Sequence, residues 1–402
     1  MDGDVKGFDL NRIDEAFIAD PYPTLARLRE TDPIHENPDG SVFLTRYADV
    51  LKVYQSRDML SDKTEEFGRK FGECPLARHH TTSLVFNDPP KHTLVRKLLS
   101  GAFTPRKLGE FEPLIDDIVD RLLNRVEDMG SFDMIDDFAK VLPTEIISFM
   151  LGVPEEIRPQ LRGYSLAILG ALDPVVPPDR MEAGNRAVEE FSEVLDDLIN
   201  HRRANPDGAA QGEVLEALIF GEHDGQRLSQ EELIQNCIFL LNAGHETTTS
   251  FAGNAVGTLL DNPGEHRRLL DDPGLITTAV EEFLRVESPL QIGNRRAGED
   301  ITLDSGVVRK GTYIHTSIAG ANRDPAQFED PERVDLGRKP NRQIAFITGI
   351  HVCLGATLAR IEGRIAIGKL VDRFPKLAAD GPRERLPLAR FRGFTRLPVT
   401  VR

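Results

Sequence analysis

Three cysteines stand in 402 residues, and one of them, Cys353, lies in the stretch FITGIHVCLG (346–355), with glycine on either side and a histidine two residues before it. A thiolate is a soft, strongly donating ligand. Cys74 and Cys237 are far away in sequence and no C-x-x-C pair exists, so neither a disulfide framework nor a zinc or iron–sulfur cage can be built around Cys353. A lone sulfur suits a metal whose other positions are already filled, and haem iron is one. Gly349 and Gly355 allow the backbone to approach a flat macrocycle. The start of a following helix, expected from about Leu354 to Phe374, adds the positive end of a helix dipole, which lowers the thiol pKa and holds the anion. Phe346, seven residues before the sulfur, is placed to shield it from water.

A second constellation is LNAGHETTTS (241–250). Ala243 and Gly244 remove bulk, and then His245, Glu246 and three threonines follow in the middle of an otherwise apolar run. Buried carboxylates and hydroxyls need partners, and threonine oxygens that return to carbonyls one turn earlier bend or widen a helix. Such a groove holds a small diatomic and ordered water. Its physical use would be proton delivery, with Thr247 donating a hydrogen bond to the diatomic and Glu246 relaying protons from solvent. Cys237, on the apolar face two turns earlier, reads as core packing, and Cys74, in a turn-like region, as incidental.

The elements that must position these groups follow from periodicity. PIHENPDGSVFLTRY reads as a hairpin around a Pro-Asp-Gly turn, which places a small sheet near the N-terminus. From Pro105 to about His201 the period becomes helical, as in FEPLIDDIVDRLLNRV, where Phe111, Leu114, Ile115, Ile118, Leu122 and Leu123 share a face. A Ser-x-x-Glu capping box, Ser229 and Glu232, opens one very long buried helix over 229–260. A shorter helix spans about Gly274 to Val286 and stops before Pro289. DITLDSGVVRKGTYIHTSI then carries two turn signals between strand-like runs. The chain is therefore expected to be mainly α with a smaller β-rich region, an α+β fold. Residues 1–402 are expected to form a single domain, with β-rich parts at about 30–60 and 288–320 and a helix-rich core at about 90–287 and 353–375.

The motif around Cys353, in the order Phe346, Gly349, His351, Cys353, Leu354, Gly355, resembles the haem-ligand signature of the cytochrome P-450 family, and the surrounding chain looks like its soluble bacterial members. One departure is Ile347, where the family usually has a small residue directly after the phenylalanine. Glu246 and Thr247 match the family's acid–threonine motif, which implies oxygen activation. Glu282 and Arg285 in EEFLR resemble the family's Glu-x-x-Arg pair, and FEDPERVDL places Arg333 as the third partner in a structural layer behind the cysteine loop. For the haem propionates the resemblance implies His92 and Arg96 in DPPKHTLVR, Arg295 with Arg296 as a substitute, and His351, with Ala243 also against the cofactor. Further stretches, from FLTRYADV through FNDPPKH, GAFTPR and GANRDP to TRLPVTV, extend the likeness over nearly the whole chain. In that fold a helix-rich lobe and a smaller β-rich lobe enclose the haem.

What the resemblance implies is a haem-thiolate monooxygenase that inserts one atom of O2 into a small, largely apolar organic substrate, by hydroxylation or oxidative dealkylation. Cys353 would ligate haem b, and no reductase-like extension fits in 402 residues, so electrons would come from an external ferredoxin or flavodoxin with its reductase. NAD(P)H enters only indirectly. A basic patch of Lys97, Arg106, Arg342, Arg360 and Arg364 would receive that acidic partner. Pocket walls are expected at Ser83, Leu84, Val85 and Phe86, at Asn242, in 290–294 including Ile292, and at Phe391, with Arg78 or Ser83 as a carboxylate anchor. Lysine and arginine total 49 against 65 acids, a formal charge of −16, which excludes phosphate backbones as the main partner. The opening MDGDVKGFDL lacks the basic and apolar regions of a secretory leader, and no window approaches ~18 apolar residues. A cytoplasmic monomer with no membrane contact is expected. The competing readings are a peroxygenase or nitric oxide reductase of the same family, a haem sensor or carrier without turnover, and a metal-free interaction protein.

Overall fold

The computed structural model describes residues 7–205 and 213–401; the first six residues of the opening stretch lie outside them. The helices in chain order are α1 (Glu15–Ala19), α2 (Tyr22–Thr31), α3 (Tyr47–Gln55), α4 (Thr64–Phe71), α5 (Pro75–Thr82), α6 (Lys91–Ser100), α7 (Pro105–Gly109), α8 (Glu112–Met129) and α9 (Val141–Leu151). They continue with α10 (Arg158–Gly170), α11 (Pro178–Ala204), α12 (Glu213–Phe220), α13 (Gln230–Asp261), α14 (Pro263–Asp271), α15 (Ile276–Val286), α16 (Ile318–Ala321) and α17 (Ala356–Arg373). The chain divides into two compact units. The first comprises Met1–Leu60, Asp116–Ala139 and Thr247–Arg402, and the second Ser61–Ile115 and Lys140–Glu246.

The first unit holds the sheets. Strands β1 (Ile34–Glu36) and β2 (Val42–Leu44) form the expected antiparallel hairpin, closed by a turn in which Gly40 takes φ +80°. The remaining strands are β3 (Met59–Leu60), β4 (Ser131–Asp133), β5 (Ile292–Ala297), β6 (Ile301–Thr302), β7 (Val307–Val308), β8 (Tyr313–Ser317), β9 (Ala378–Ala379), β10 (Glu384–Arg385), β11 (Phe394–Arg396) and β12 (Pro398–Thr400). The main sheet runs β1-β2-β8-β5-β3, with β2 and β8 parallel and β5 and β8 antiparallel. Side chains alternate across a strand, and β2 shows this directly. Val42 and Leu44 enter a core with Tyr47, Val50, Ile314, Ile318 and Phe328, whereas Phe43 enters another with Leu10, Phe17, Leu25, Leu28 and Ile292.

The helical expectation for 105–201 holds with one interruption. Gly130, at φ +75°, ends α8, β4 then pairs with the C-terminal strand β12, and a π-helical segment follows over Met134–Ala139. A strand recruited by residues 265 to 269 positions downstream leaves no periodicity signal of its own. On α8 the expected apolar face is buried at Ile115, Ile118, Leu122 and Leu123, joined by Val119 and Val126, while Phe111 and Leu114 remain half-buried.

The second unit is built of α4–α7, α9–α12 and the front part of α13. The capping box is formed as expected. The Ser229 N–H and hydroxyl donate to the Glu232 carboxylate at 2.9 and 3.0 Å, and the Glu232 N–H donates back to Ser229 Oγ at 3.3 Å. Leu233, Cys237, Ile238, Leu240 and Leu241 are buried. α13 runs 32 residues as unbroken α-helix, so the widening expected around the threonines does not occur. Among the described residues no helix is long and apolar enough to cross a membrane.

Candidate active site

In the first unit, Cys353 is exposed three residues before α17 begins, so its sulfur stands at the positive end of an 18-residue helix. The loop in front of it is pinned by backbone bonds, with the Cys353 N–H donating to the Phe346 carbonyl at 3.0 Å and the Ile347 N–H to the Ile344 carbonyl at 2.9 Å. Gly349 takes φ +74°, and a Cβ there would run into the Tyr54 carbonyl, so this position requires glycine. Ile347 takes φ +50°, the left-handed region that a β-branched residue avoids, while its side chain packs against the main apolar core of this unit. The Arg360 guanidinium lies over the Phe346 ring at 4.5 Å and is held there by Glu281 at 2.5 Å.

The donor set decides what metal can sit at Cys353. Among the described residues no group of three or more His, Cys, Asp or Glu side chains could hold a metal ion. A Cβ built on Gly355 meets only open space, and the neighbouring Ile350 and Val352 side chains are 41% and 40% exposed. One accessible sulfur on an open, apolar-rimmed backbone fits iron that a flat macrocycle already ligates, and does not fit a bare ion.

Behind this loop Glu282 and Arg285 form a fully buried pair, Nε to Oε2 and Nη2 to Oε1 both at 2.8 Å. A buried charge pair survives only if its remaining donors and acceptors are satisfied. Arg285 also donates to the carbonyls of Asn322, Pro331 and Arg333, and Glu282 also accepts from Arg338 Nε at 3.1 Å, Asn341 Nδ2 at 3.0 Å and the Asp335 N–H at 2.9 Å. The expected third partner is thereby corrected. Arg333 contributes its main-chain carbonyl while its side chain is exposed, and the second guanidinium on Glu282 is that of Arg338. The layer reaches the cysteine loop through Asn322, whose Oδ1 accepts the Ile344 N–H at 2.8 Å.

The expected propionate-binding cations lie on separate elements. His92 is buried and Arg96 half-buried, one turn apart on α6 of the second unit. In the first unit Arg295 is buried, with its guanidinium 5.0 Å over the Tyr54 ring, whereas Arg296 falls on the other side of β5 and is half-buried. Tyr54 is itself fixed by a 2.6 Å bond between its hydroxyl and that of Thr316. His351 ends the short 3-10 turn Gly349–His351.

On the second-unit part of α13, Glu246 is buried, with Arg162 Nε of α10 at 4.0 Å and His245 Nδ1 at 3.6 Å. Burial pushes the Glu246 carboxyl up to about 7, against the opposing pull of the Arg162 guanidinium. Burial likewise pushes His245 down to about 3, keeping it neutral. Along 241–250 only Ala243, Gly244 and Thr247 are less than fully buried, which leaves a narrow notch of small side chains on one face, with Gly244 against Ile147 of α9. Asn242, one turn before Glu246, accepts a hydrogen bond from the Ser165 hydroxyl of α10 at 2.9 Å.

The other expected pocket residues fare unevenly. Leu84–Phe86 is a 3-10 turn in which Leu84 is buried, Val85 is half-buried and the Leu84 N–H donates to Asn236 Oδ1 at 2.8 Å. Ser83 donates its hydroxyl to the His79 carbonyl at 2.8 Å, and Arg78 pairs with Glu231 at the surface. Ile292 is a correction: strand alternation turns it into the core with Leu10, Phe17 and Phe43. Phe391 is buried and its backbone bridges to Leu290. Sequence reasoning missed Arg162, Ser165, Arg338 and Tyr54, whose positions on ordinary amphipathic elements carry no motif.

Comparison with known proteins agrees with this geometry. The family model for cytochrome P-450 matches residues 37–272 and 268–400. Vitamin D(3) 25-hydroxylase of Pseudonocardia autotrophica is 37% identical, covering 96% of this chain and 94% of its own. The cytochrome P-450 monooxygenase PikC of Streptomyces venezuelae is 36% identical over 98% of this chain and 94% of its own. Among solved structures, P450BioI, crystallised with an acyl carrier protein bearing hexadec-9Z-enoic acid, superposes with a TM-score of 0.90 at 32% identity, covering 96% of this chain and 100% of that one. With a lone accessible cysteine at a helix N-terminus, a saturated Glu–Arg layer behind it and these full-length matches, the chain belongs to the cytochrome P-450 family, oxidoreductases that incorporate oxygen by means of haem ligated by a cysteine thiolate.

Proposed function

We propose that this monooxygenase hydroxylates or oxidatively dealkylates a small, largely apolar organic substrate, and that Cys353, Glu246 and Thr247 are the residues that carry the reaction. The observation that carries the proposal is the exposed Cys353 sulfur at the start of α17, in a chain whose described residues offer no competing metal cluster. Haem b, bound through that thiolate, supplies the activation of O2. Phe346, Gly349, Gly355 and Ala243 would lie against the macrocycle, and His92, Arg96, Arg295 and His351 would take its propionates. Arg295 is preferred to Arg296 because it is the buried one of the two.

Thr247 donates a hydrogen bond to the oxygen molecule and Glu246 feeds protons to the same place. A carboxyl held near 7 is suited to that task, because a relay must both hold and release a proton at working pH. Arg162 acts on Glu246 as a counterweight, preventing burial from keeping the acid permanently protonated. The names of the relatives, a vitamin D(3) hydroxylase and a protein bound to a fatty-acyl carrier, support an apolar substrate.

Electrons come from a ferredoxin or flavodoxin with its reductase, and NAD(P)H is used only through them. Lys97, Arg106, Arg342, Arg360 and Arg364 are the basic residues proposed to meet that acidic partner. The protein works as a cytoplasmic monomer, the whole chain serving as one functional domain. The test is coupling: with NADH and a surrogate ferredoxin system, Thr247→Ala should divert about 90% or more of the electrons from product to peroxide or water, the ~10²-fold scale of a lost proton-transfer group setting the limit. Product formed at the parental ratio to NADH would remove Thr247 and Glu246 from the mechanism.

A further inference from the structure

Tyr54, near the end of α3, is 5% exposed and lies where three parts of the first unit meet. Gly293 and Arg295 are two apart on β5 and so share a face, and Gly293 stands opposite Thr316 of β8. The Tyr54 ring occupies this face. Its hydroxyl is 2.6 Å from that of Thr316, and the Arg295 guanidinium lies 5.0 Å from the ring centroid. The seat is shaped for the phenol: a Cβ on Gly293 would come within 1.9 Å of the Tyr54 oxygen, so a side chain there would push the ring away. On its main-chain side, the Tyr54 carbonyl abuts Gly349, where a Cβ would stand 2.1 Å from it. One residue therefore touches both the turn that leads into Cys353 and the cation proposed for a propionate.

An arginine side chain ranges over many rotamers, and a desolvated aromatic face narrows that range. A ring pinned through its hydroxyl narrows it to one place. Burial pushes the Tyr54 hydroxyl pKa up, with the Arg295 guanidinium pulling the other way, so the phenol stays neutral and does not cancel the charge beside it. We infer that Tyr54 is a positioning residue of the cofactor site: its ring sets the Arg295 guanidinium and its main chain sets the Gly349 turn, which holds the propionate cation and the thiolate loop in one fixed relation. This rests on the haem site proposed above and adds to it a residue that touches neither iron nor substrate. A cation fixed beside a propionate favours Fe(II) over Fe(III), because reduction removes one positive charge, and a cation free to swing into water does so less.

The test is a reductive titration of the haem-loaded full chain, together with the rate at which haem passes to excess apomyoglobin. Tyr54→Leu removes the ring and should lower the Fe(II)/Fe(III) ratio at a set potential about 3- to 10-fold, a fall in midpoint of about 28–59 mV at 59 mV per tenfold, with haem lost about 3-fold faster or more. Tyr54→Phe keeps the ring without its anchor, so it should lower the ratio about 2-fold, and it carries the test if Tyr54→Leu does not fold. Arg295→Gln should lower the midpoint by itself, and in that background neither Tyr54 variant should lower it further, a result that a merely structural tyrosine would not give. A midpoint unchanged by the Tyr54 variants, or a fall undiminished in the Arg295→Gln background, would overturn the inference. Arg295→Gln at the parental midpoint would instead remove Arg295 from the propionates, and the inference with it. A parent protein without a thiolate-type carbon monoxide band would overturn the haem site on which both rest.

Discussion

At the residue scale, the cysteine loop is held in a shape its own sequence resists. Ile347 sits at φ +50°, where a β-branched residue loses about 1–2 kcal/mol, and it stays there because the Ile347 N–H bond to Ile344 and the packing of its side chain over-determine the turn. Ile347→Gly relieves the strain and gives up the packing, so the two effects should cancel to within about 1 kcal/mol in urea denaturation. A half-buried isoleucine elsewhere would lose about 2 kcal/mol or more on the same change. A loss of that larger size at 347 would show that the conformation is not strained. The departure at 347 was visible in the sequence; its positive φ was not, because backbone conformation at a non-glycine position is set by the surrounding bonds. Cys353 and Glu246 stood out in the sequence for the opposite reason: a lone cysteine among glycines and a carboxylate inside an apolar helix are costly enough to announce themselves, whereas the place of Thr247 in the motif came from the family resemblance.

At the scale of elements, α13 and the layer behind the cysteine loop show where reading from sequence stops. The capping box and apolar period located α13 to within a residue at each end, since both signals are local. The Glu282 layer was legible only in part. Its helical pair lies three residues apart and was found, but its third member came from a loop, where sequence order does not say whether a side chain or a carbonyl turns inward. Two substitutions separate these roles. Arg338→Ala strips a guanidinium from a fully buried carboxylate and should cost about 1–3 kcal/mol, whereas Arg333→Ala, at an exposed side chain, should stay within about 0.5 kcal/mol. Thermal unfolding of the two variants side by side checks this, and the reverse order would restore Arg333 as the side-chain partner. Ile292 failed for a related reason, since a one-residue shift along a strand exchanges core for open face.

Across the whole molecule, stability should pass through a maximum in mildly acidic solution. Burial raises Glu246 to about 7 and Glu362 to about 8, so between pH 4.5 and those values the folded state binds more protons than the unfolded, and stability falls as pH rises. Burial lowers His79 to about 4 and His245 to about 3, so between those values and 6.5 the unfolded state binds more protons, and stability rises with pH. The two pairs oppose one another below pH 6.5. Above it only the carboxyls act, each contributing a decline of up to about 1.4 kcal/mol per pH unit. Urea denaturation should therefore show falling stability from pH 6.5 to 8, made shallower by Glu246→Gln and by Glu362→Gln separately. A flat profile in the parent would mean that these carboxyls are already ionised.

The proposed bond from the Cys353 sulfur to haem iron is the centre of this account, and the reduced carbon monoxide spectrum reads it directly. The purified protein should be red and show the thiolate-shifted Soret band, and Cys353→Ala should abolish that band. A parent spectrum without the shift, or a Cys353→Ala protein that binds haem with unchanged absorption, would contradict the account.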